Sequence, residues 1–163
     1  MSDPLKIGIA GLGTVGVGVI RLLAEHGALL ATRCGRRIEV VAVSARDRGR
    51  DRGVELGALK WYDDARDLAG DANVDVVVEL IGGSDGVALD LSLAAIANRK
   101  HVVTANKVPL SGALQDYRAL VDDLSESGTT YGYETTFGAG LPVLHTLKEL
   151  LVTGDSLLSV SGC

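Results

Sequence analysis

One stretch constrains the fold of this chain more than any other: Lys6-Ile7-Gly8-Ile9-Ala10-Gly11-Leu12-Gly13-Thr14-Val15-Gly16. Leu5 to Ala10 has strand character, three glycines follow in a G-x-G-x-x-G spacing, and Val15, Val19, Leu22 and Leu23 then recur at helical intervals. A strand that turns through such glycines directly into a helix is the fingerprint of a dinucleotide-binding βαβ unit. The three glycines serve different physical ends. Gly11 permits the tight turn, Gly13 lets the backbone approach a pyrophosphate, and Gly16 lets helix and strand pack closely. The helix N-terminus adds unbonded N–H groups and the positive end of its dipole. The spacing alone is also compatible with a glycine-rich turn that merely packs. The strand before it and the apolar helix after it favour the binding role.

Strand and helix patterns alternate along the rest of the chain. Strands are expected at Ile38–Ser44, Trp61-Tyr62, Val74–Ile81, His101–Thr104 and Thr129–Tyr133. Helices are expected from Thr14 as far as Leu30, from an Asp63 cap through Leu68, over Val87–Asn98 behind an Asp85 cap, over Leu114–Ser127, and from Pro142 to Val152. The alternation predicts an α/β fold, a Rossmann-type doubly wound and mostly parallel sheet. After Gly154-Asp155 a last strand, Leu157–Ser161, reads as the first element of a second domain. The expected division is therefore 1–142 for the nucleotide-binding domain and 143–163 for a linking helix and first strand of an absent one.

Composition narrows the function classes. The 21 glycines in 163 residues are close to twice the usual ~7%, which suits a fold with many tight β–α turns. A net charge of −5 argues against a nucleic-acid binder, which carries a basic face. No apolar run reaches the ~18 residues that span a bilayer, and Met-Ser-Asp-Pro-Leu-Lys lacks the layout of a signal peptide, so the expected setting is cytoplasmic. Cys34 and Cys163 have no metal-ligand or C-x-x-C spacing and read as reduced thiols without a chemical role.

Seven of the eleven arginines lie between positions 33 and 52. In a dinucleotide fold the end of the second strand faces the adenosine ribose, where an acid binds the 2′-hydroxyl and an arginine accommodates a 2′-phosphate. That strand ends Ser44-Ala45-Arg46-Asp47, so Arg46 points to NADP, while Asp47 keeps NAD open. Lys107 lies just past the expected strand His101–Thr104, at the edge where open α/β sheets bind ligands. A lysine there holds a phosphate or carboxylate, polarises a carbonyl, or is simply a loop lysine. Glu134, followed by a glycine-containing turn to Pro142, offers oxygen ligands suited to a hard cation, or caps the next helix or pairs with a lysine. His26, His101 and His145 have no nucleophile or metal partner at recognisable spacing.

Four segments together resemble the N-terminal domain of homoserine dehydrogenases: Gly-Leu-Gly-Thr-Val-Gly at 11–16, Val-Glu-Leu-Ile-Gly-Gly at 78–83, Val-Thr-Ala-Asn-Lys at 103–107, and Tyr-Glu-Thr-Thr-Phe-Gly-Ala-Gly-Leu-Pro at 133–142. The resemblance implies reversible reduction of aspartate semialdehyde to homoserine by NADPH or NADH, on the route to threonine and methionine. It implies cofactor contacts from the glycine segment, chiefly the backbone of Leu12, Gly13, Thr14 and Val15, with Gly82 near the nicotinamide end. Thr104 and Lys107 would lie beside cofactor and substrate, with Lys107 as the catalytic residue. It also implies a monovalent cation, usually sodium, held by the Glu134 carboxylate and the carbonyls of Phe137, Ala139 and Leu141. Homoserine dehydrogenases continue past a strand like Leu157–Gly162 into a region that carries the substrate sheet, the dimer core, an acidic substrate-gripping residue and a second lysine. The chain is accordingly expected to be the cofactor-binding portion of such an enzyme, homodimeric only with that region. The alternative is a dinucleotide-binding module or subunit that depends on a partner for its substrate site.

Overall fold

The computed structural model describes residues 3–82, 86–106, 114–136, 141–159 and 161. Six strands, β1 (Leu5–Ala10), β2 (Ile38–Ser44), β3 (Lys60–Tyr62), β4 (Val76–Glu79), β5 (His101–Thr104) and β6 (Tyr131–Gly132), form one sheet in the order β3-β2-β1-β4-β5-β6. Every neighbouring pair is parallel. The helices are α1 (Thr14–Cys34), α2 (Ala65–Gly70), α3 (Val87–Ala97), α4 (Leu114–Ser127) and α5 (Val143–Val152). Strand order reverses between β1 and β4, which opens a crevice at the carboxyl ends of those strands. The α/β, Rossmann-type doubly wound parallel sheet expected from the alternation is the fold observed.

Residue alternation along the strands builds two cores. Ile7, Ile9, Val43, Val76 and Val78 face α1, where Val19, Ile20 and Leu23 pack on them. Ala10, Ala42, Val77 and Val102 face the other way, onto Leu68 of α2, Leu91 and Ile96 of α3, and Leu120 of α4. Burial on both faces explains why the central strands read as continuous apolar runs. A charged residue interrupts that pattern: Glu79, at the end of β4, is fully buried.

Several local details differ from the sequence expectation. α1 runs on to Cys34 and stops at Gly35, whose φ of 74° ends it in the left-handed conformation. It is long and apolar enough to cross a membrane by length and composition, contrary to the expectation that no such run exists. It is, however, the crossover between β1 and β2, which lie hydrogen-bonded side by side, and a spanning helix would separate them. The α2 cap is Asp64, whose carboxylate accepts from Arg66 N at 2.9 Å, while Asp63 accepts from Trp61 Nε1. The α3 N-cap is Gly86, without a side-chain bond, and Asp85 lies outside the described residues. β4 is shorter than Val74–Ile81 because Ile81 N bonds to the Glu79 side chain. β6 is shorter than Thr129–Tyr133, an edge strand paired only with Val102 and Val103. The last expected strand does not form over residues 155–159: among the described residues no strand pairs with them, and Leu158 is 92% exposed.

Candidate functional site

At the strand-order reversal lies a cleft of about 810 Å³. Its walls are the glycine turn Gly11–Gly13, the end of β2 with Arg46, Asp47, Arg50 and Arg52, and the segment Leu80–Gly82 after β4. The glycine turn has the geometry its spacing demands. Gly11 has a φ of 99°, and a Cβ on it would lie 2.4 Å from the Leu80 carbonyl oxygen. A Cβ on Gly16 would lie 2.0 Å from the Gly11 carbonyl oxygen. A Cβ on Gly13 would meet nothing within 4 Å, so this glycine faces open space. Gly13 is also the N-cap of α1 and makes no side-chain cap, and the first intrahelical bond, Val17 N to Gly13 O, spans 3.0 Å. The amides of Thr14, Val15 and Gly16 have no acceptor inside the helix, as at any helix start. Thr14 lines a smaller hollow beside the cleft. Val15 is 59% exposed, and Gly16 is buried under the turn.

The arginine-rich loop folds back over this turn through a residue that the sequence did not single out. Arg52 donates to the carbonyl oxygens of Leu12 (3.3 Å), Asp47 and Arg50 (2.9 Å), and its guanidinium lies 5.5 Å from the centre of the Trp61 ring. Arg48 approaches the same ring at 5.9 Å. Arg46 is exposed on the cleft wall and has no hydrogen bond or ion pair among the described residues. Asp47 accepts from Gly49 N at 2.9 Å, which engages one carboxylate oxygen in its own loop. Asp64, which also lines the cleft, is held at a pKa of about 2 by the Arg66 guanidinium and amide.

The other end of the cleft rests on buried side chains. Glu79 and Thr104 are direct cross-strand partners between β4 and β5, and both are fully buried. The Glu79 carboxylate accepts from Thr104 Oγ1 and, at 2.6 Å, from Ile81 N. Thr104 Oγ1 accepts in turn from Asn106 N at 2.9 Å, and Asn106 Nδ2 donates to the Ile81 carbonyl at 3.2 Å. The Thr104 side chain is thus taken up inside the protein and is absent from the cleft wall. Burial pushes the Glu79 carboxyl above the usual carboxylate range, and the two hydrogen bonds oppose that shift. The Tyr131 hydroxyl is buried beside Ser92 and Thr104 without a bond of good geometry. A carboxylate inside an apolar run, Val76-Val77-Val78-Glu79, was the signal available in the sequence, but no motif gives it a role.

Lys107, Phe137 and Ala139 lie outside the described residues, as does Cys163. Glu134 is exposed, in a 3₁₀ turn after β6, and Leu141 is 65% exposed. Thr135 and Thr136 of that turn donate back to the Thr104 carbonyl at 3.0 and 3.5 Å, tying the turn to the end of β5. Among the described residues, no three His, Cys, Asp or Glu side chains gather as a metal site. His26 sits on exposed α1 beside Glu25, His101 bonds Thr130, and His145 is exposed on α5. Cys34 is an exposed free thiol.

Residues 11–134 match the family model for the homoserine dehydrogenase NAD-binding domain. The chain belongs to that family. It is 40% identical over 146 residues to homoserine dehydrogenase of Pseudomonas aeruginosa, covering 90% of this chain and 32% of that protein. It is 32% identical over 158 residues to the Bacillus subtilis enzyme, covering 97% and 35%. The solved structure of homoserine dehydrogenase from Thiobacillus denitrificans superposes with a TM-score of 0.79 at 33% identity, over 92% of this chain and 34% of that one. The chain therefore spans about a third of the length of the homoserine dehydrogenases it matches. Family membership makes a nicotinamide dinucleotide the cofactor class. The glycine turn fits a dinucleotide's diphosphate: Gly13 leaves open space before the uncapped start of α1.

Proposed function

We propose that the chain is the cofactor-binding portion of an NADP-preferring homoserine dehydrogenase, serving the conversion of aspartate semialdehyde to homoserine in threonine and methionine biosynthesis. The observation that carries this is the cleft at the strand-order reversal, walled by a glycine turn of the required conformation in a chain of that family. The bound cofactor supplies or removes a hydride. The protein's part is to hold and orient. The amides from Leu12 to Val15 take the diphosphate, with Gly11 and Gly16 shaping the turn, and Gly82 borders the nicotinamide end. Arg46 takes the 2′-phosphate; its guanidinium is uncommitted, whereas Asp47 is engaged by Gly49 N. Lys107, a few residues beyond β5, positions the substrate carbonyl or relays a proton to it, work that depends on orientation and on charge stabilisation at that oxygen. A monovalent cation, sodium in this reading, takes the Glu134 carboxylate with the carbonyl oxygens of Phe137, Ala139 and Leu141. Glu134 suits this because its exposed carboxylate has no partner among the described residues. Residues 1–142 form the nucleotide-binding unit, and 143–163 begin the region that completes the substrate site and a homodimer, in a cytoplasmic enzyme. That α5 has no buried residue supports this division.

The second reading is a dinucleotide-binding module that takes its substrate site from a partner; the cleft with its open glycine turn serves that reading equally. Titration of the chain with NADPH and NADH, beside an assay of homoserine oxidation, separates the two. Binding with turnover that Lys107→Ala abolishes supports the enzyme reading. Binding without turnover supports the module. Tighter NADH than NADPH binding, unchanged in Arg46→Ala, contradicts the NADP preference.

A further inference from the structure

We infer that Glu79 is a positioning residue: its carboxylate ties the segments after β4 and β5 into one rigid floor for the nicotinamide end of the cleft. The inference rests on the dinucleotide reading of that cleft. Its physical basis is the connectivity of a single buried group. One carboxylate oxygen accepts from Ile81 N, on the segment that forms the cleft wall. The other accepts from Thr104 Oγ1. That second bond fixes the direction of the threonine hydroxyl, because a hydroxyl has one proton to donate. With the proton committed to Glu79, the lone pairs of Thr104 Oγ1 accept from Asn106 N. Asn106 closes the loop by donating from Nδ2 to the Ile81 carbonyl. Thr136 Oγ1 adds a bond to the Asn106 carbonyl at 3.2 Å, which brings the turn after β6 into the same unit.

The arrangement is costly for the fold, which is why a purely structural explanation is insufficient. Glu79 has no exposed surface, and neither of its hydrogen bonds brings a positive charge. Burying a carboxylate without a countercharge carries a desolvation cost that an apolar side chain such as leucine would not. A leucine at this position would continue the apolar face that Val77 presents two residues earlier on the same strand. What leucine cannot do is accept from Ile81 N and from the Thr104 hydroxyl together. Glutamine does only half: its single carbonyl oxygen serves one donor, and its NH₂ then faces the other.

The chain is titrated with NADPH, read by the fluorescence of the reduced ring, and with 2′-phospho-ADP-ribose, which lacks that ring. Glu79→Leu and Thr104→Val are each expected to weaken NADPH about tenfold and quench the ring signal. Thr104→Ser, which keeps the hydroxyl, stays within about twofold, and all three variants stay within about twofold for 2′-phospho-ADP-ribose. Amide exchange at Ile81 and Asn106 is expected to quicken at least about tenfold in Glu79→Leu without ligand, a direct reading of the tie. Full NADPH affinity in both Glu79→Leu and Thr104→Val, or equal loss of both ligands, overturns the positioning role. Exchange that quickens in a chain whose wild type binds neither ligand shows that the tie exists and that the reading of the cleft is wrong.

Discussion

The two ends of the cleft are built from different materials. The end at β1 and β2 is made of backbone: a turn with Gly11 at a φ of 99°, an open Gly13, and a loop pinned by Arg52 to main-chain carbonyls. The end at β4 and β5 is made of side chains buried beneath the surface they support, with Glu79, Thr104 and Asn106 bonded in sequence. A site made of backbone depends little on the side chains around it but is intolerant of a Cβ added to its glycines. A site supported by a buried network tolerates change at its surface but depends on groups that never touch the ligand.

The largest effect expected from this contrast is Gly16→Ala. Its Cβ would stand 2.0 Å from a backbone oxygen, which cannot move without opening the turn. A stability loss of about 3 kcal/mol in urea unfolding is expected, together with loss of dinucleotide binding. Gly13→Ala sharpens the point, since its φ of −79° suits any residue and its Cβ meets open space. Stability should fall by less than about 1 kcal/mol, while NADPH affinity falls at least about tenfold because the methyl occupies the diphosphate's approach. A variant that binds NADPH normally would break the backbone half of the comparison.

That half was legible in the sequence because a φ above zero and a close approach both demand glycine, and glycine at fixed spacing leaves a readable pattern. The sheet was legible for the same reason: β2 and β5 are apolar runs with the bounds expected from them. The buried half was not legible. Glu79 stands alone in an apolar strand, and Thr104 becomes its neighbour only when β4 and β5 pair in parallel register. Arg52 was hidden among like residues, since composition cannot say which arginine reaches Leu12 O. The final expected strand, Leu157–Ser161, shows the limit of propensity: Leu157 and Leu158 favour a strand, but among the described residues no strand pairs with 155–159.

A middle-sized effect separates two arginines on the same wall. Arg52→Ala removes three hydrogen bonds to carbonyls and the contact with Trp61, so the loop loosens. NADPH and NADH affinities should fall together, by about fivefold. Arg46→Ala should weaken NADPH about tenfold and leave NADH within about twofold, since only NADPH carries the 2′-phosphate. The two dissociation constants, measured for both variants by calorimetry, separate a residue that shapes the loop from one that touches the ligand.

The smallest effect concerns pH. The folded carboxyl of Glu79 titrates above its usual value of 4.5, so the native state takes up its proton more readily than the unfolded chain. Its contribution to stability is fully present below that value and is lost as pH rises through the folded pKa. Glu79→Gln, neutral at every pH, removes this dependence. Scanning calorimetry at pH values rising from 4.5 should therefore show the Tm difference, wild type minus variant, falling as pH rises. A difference that stays constant or rises with pH would contradict the raised titration of the buried carboxyl.

The most direct test of the central claim, that the cleft at the strand-order reversal holds a nicotinamide dinucleotide, is a crystal structure of the chain grown with NADPH. The expected result has diphosphate oxygens within hydrogen-bonding distance of the main-chain nitrogens from Leu12 to Val15, and the reduced ring against Ile81 and Gly82. Density for the dinucleotide elsewhere, with the glycine turn closed over by its own side chains, would contradict it.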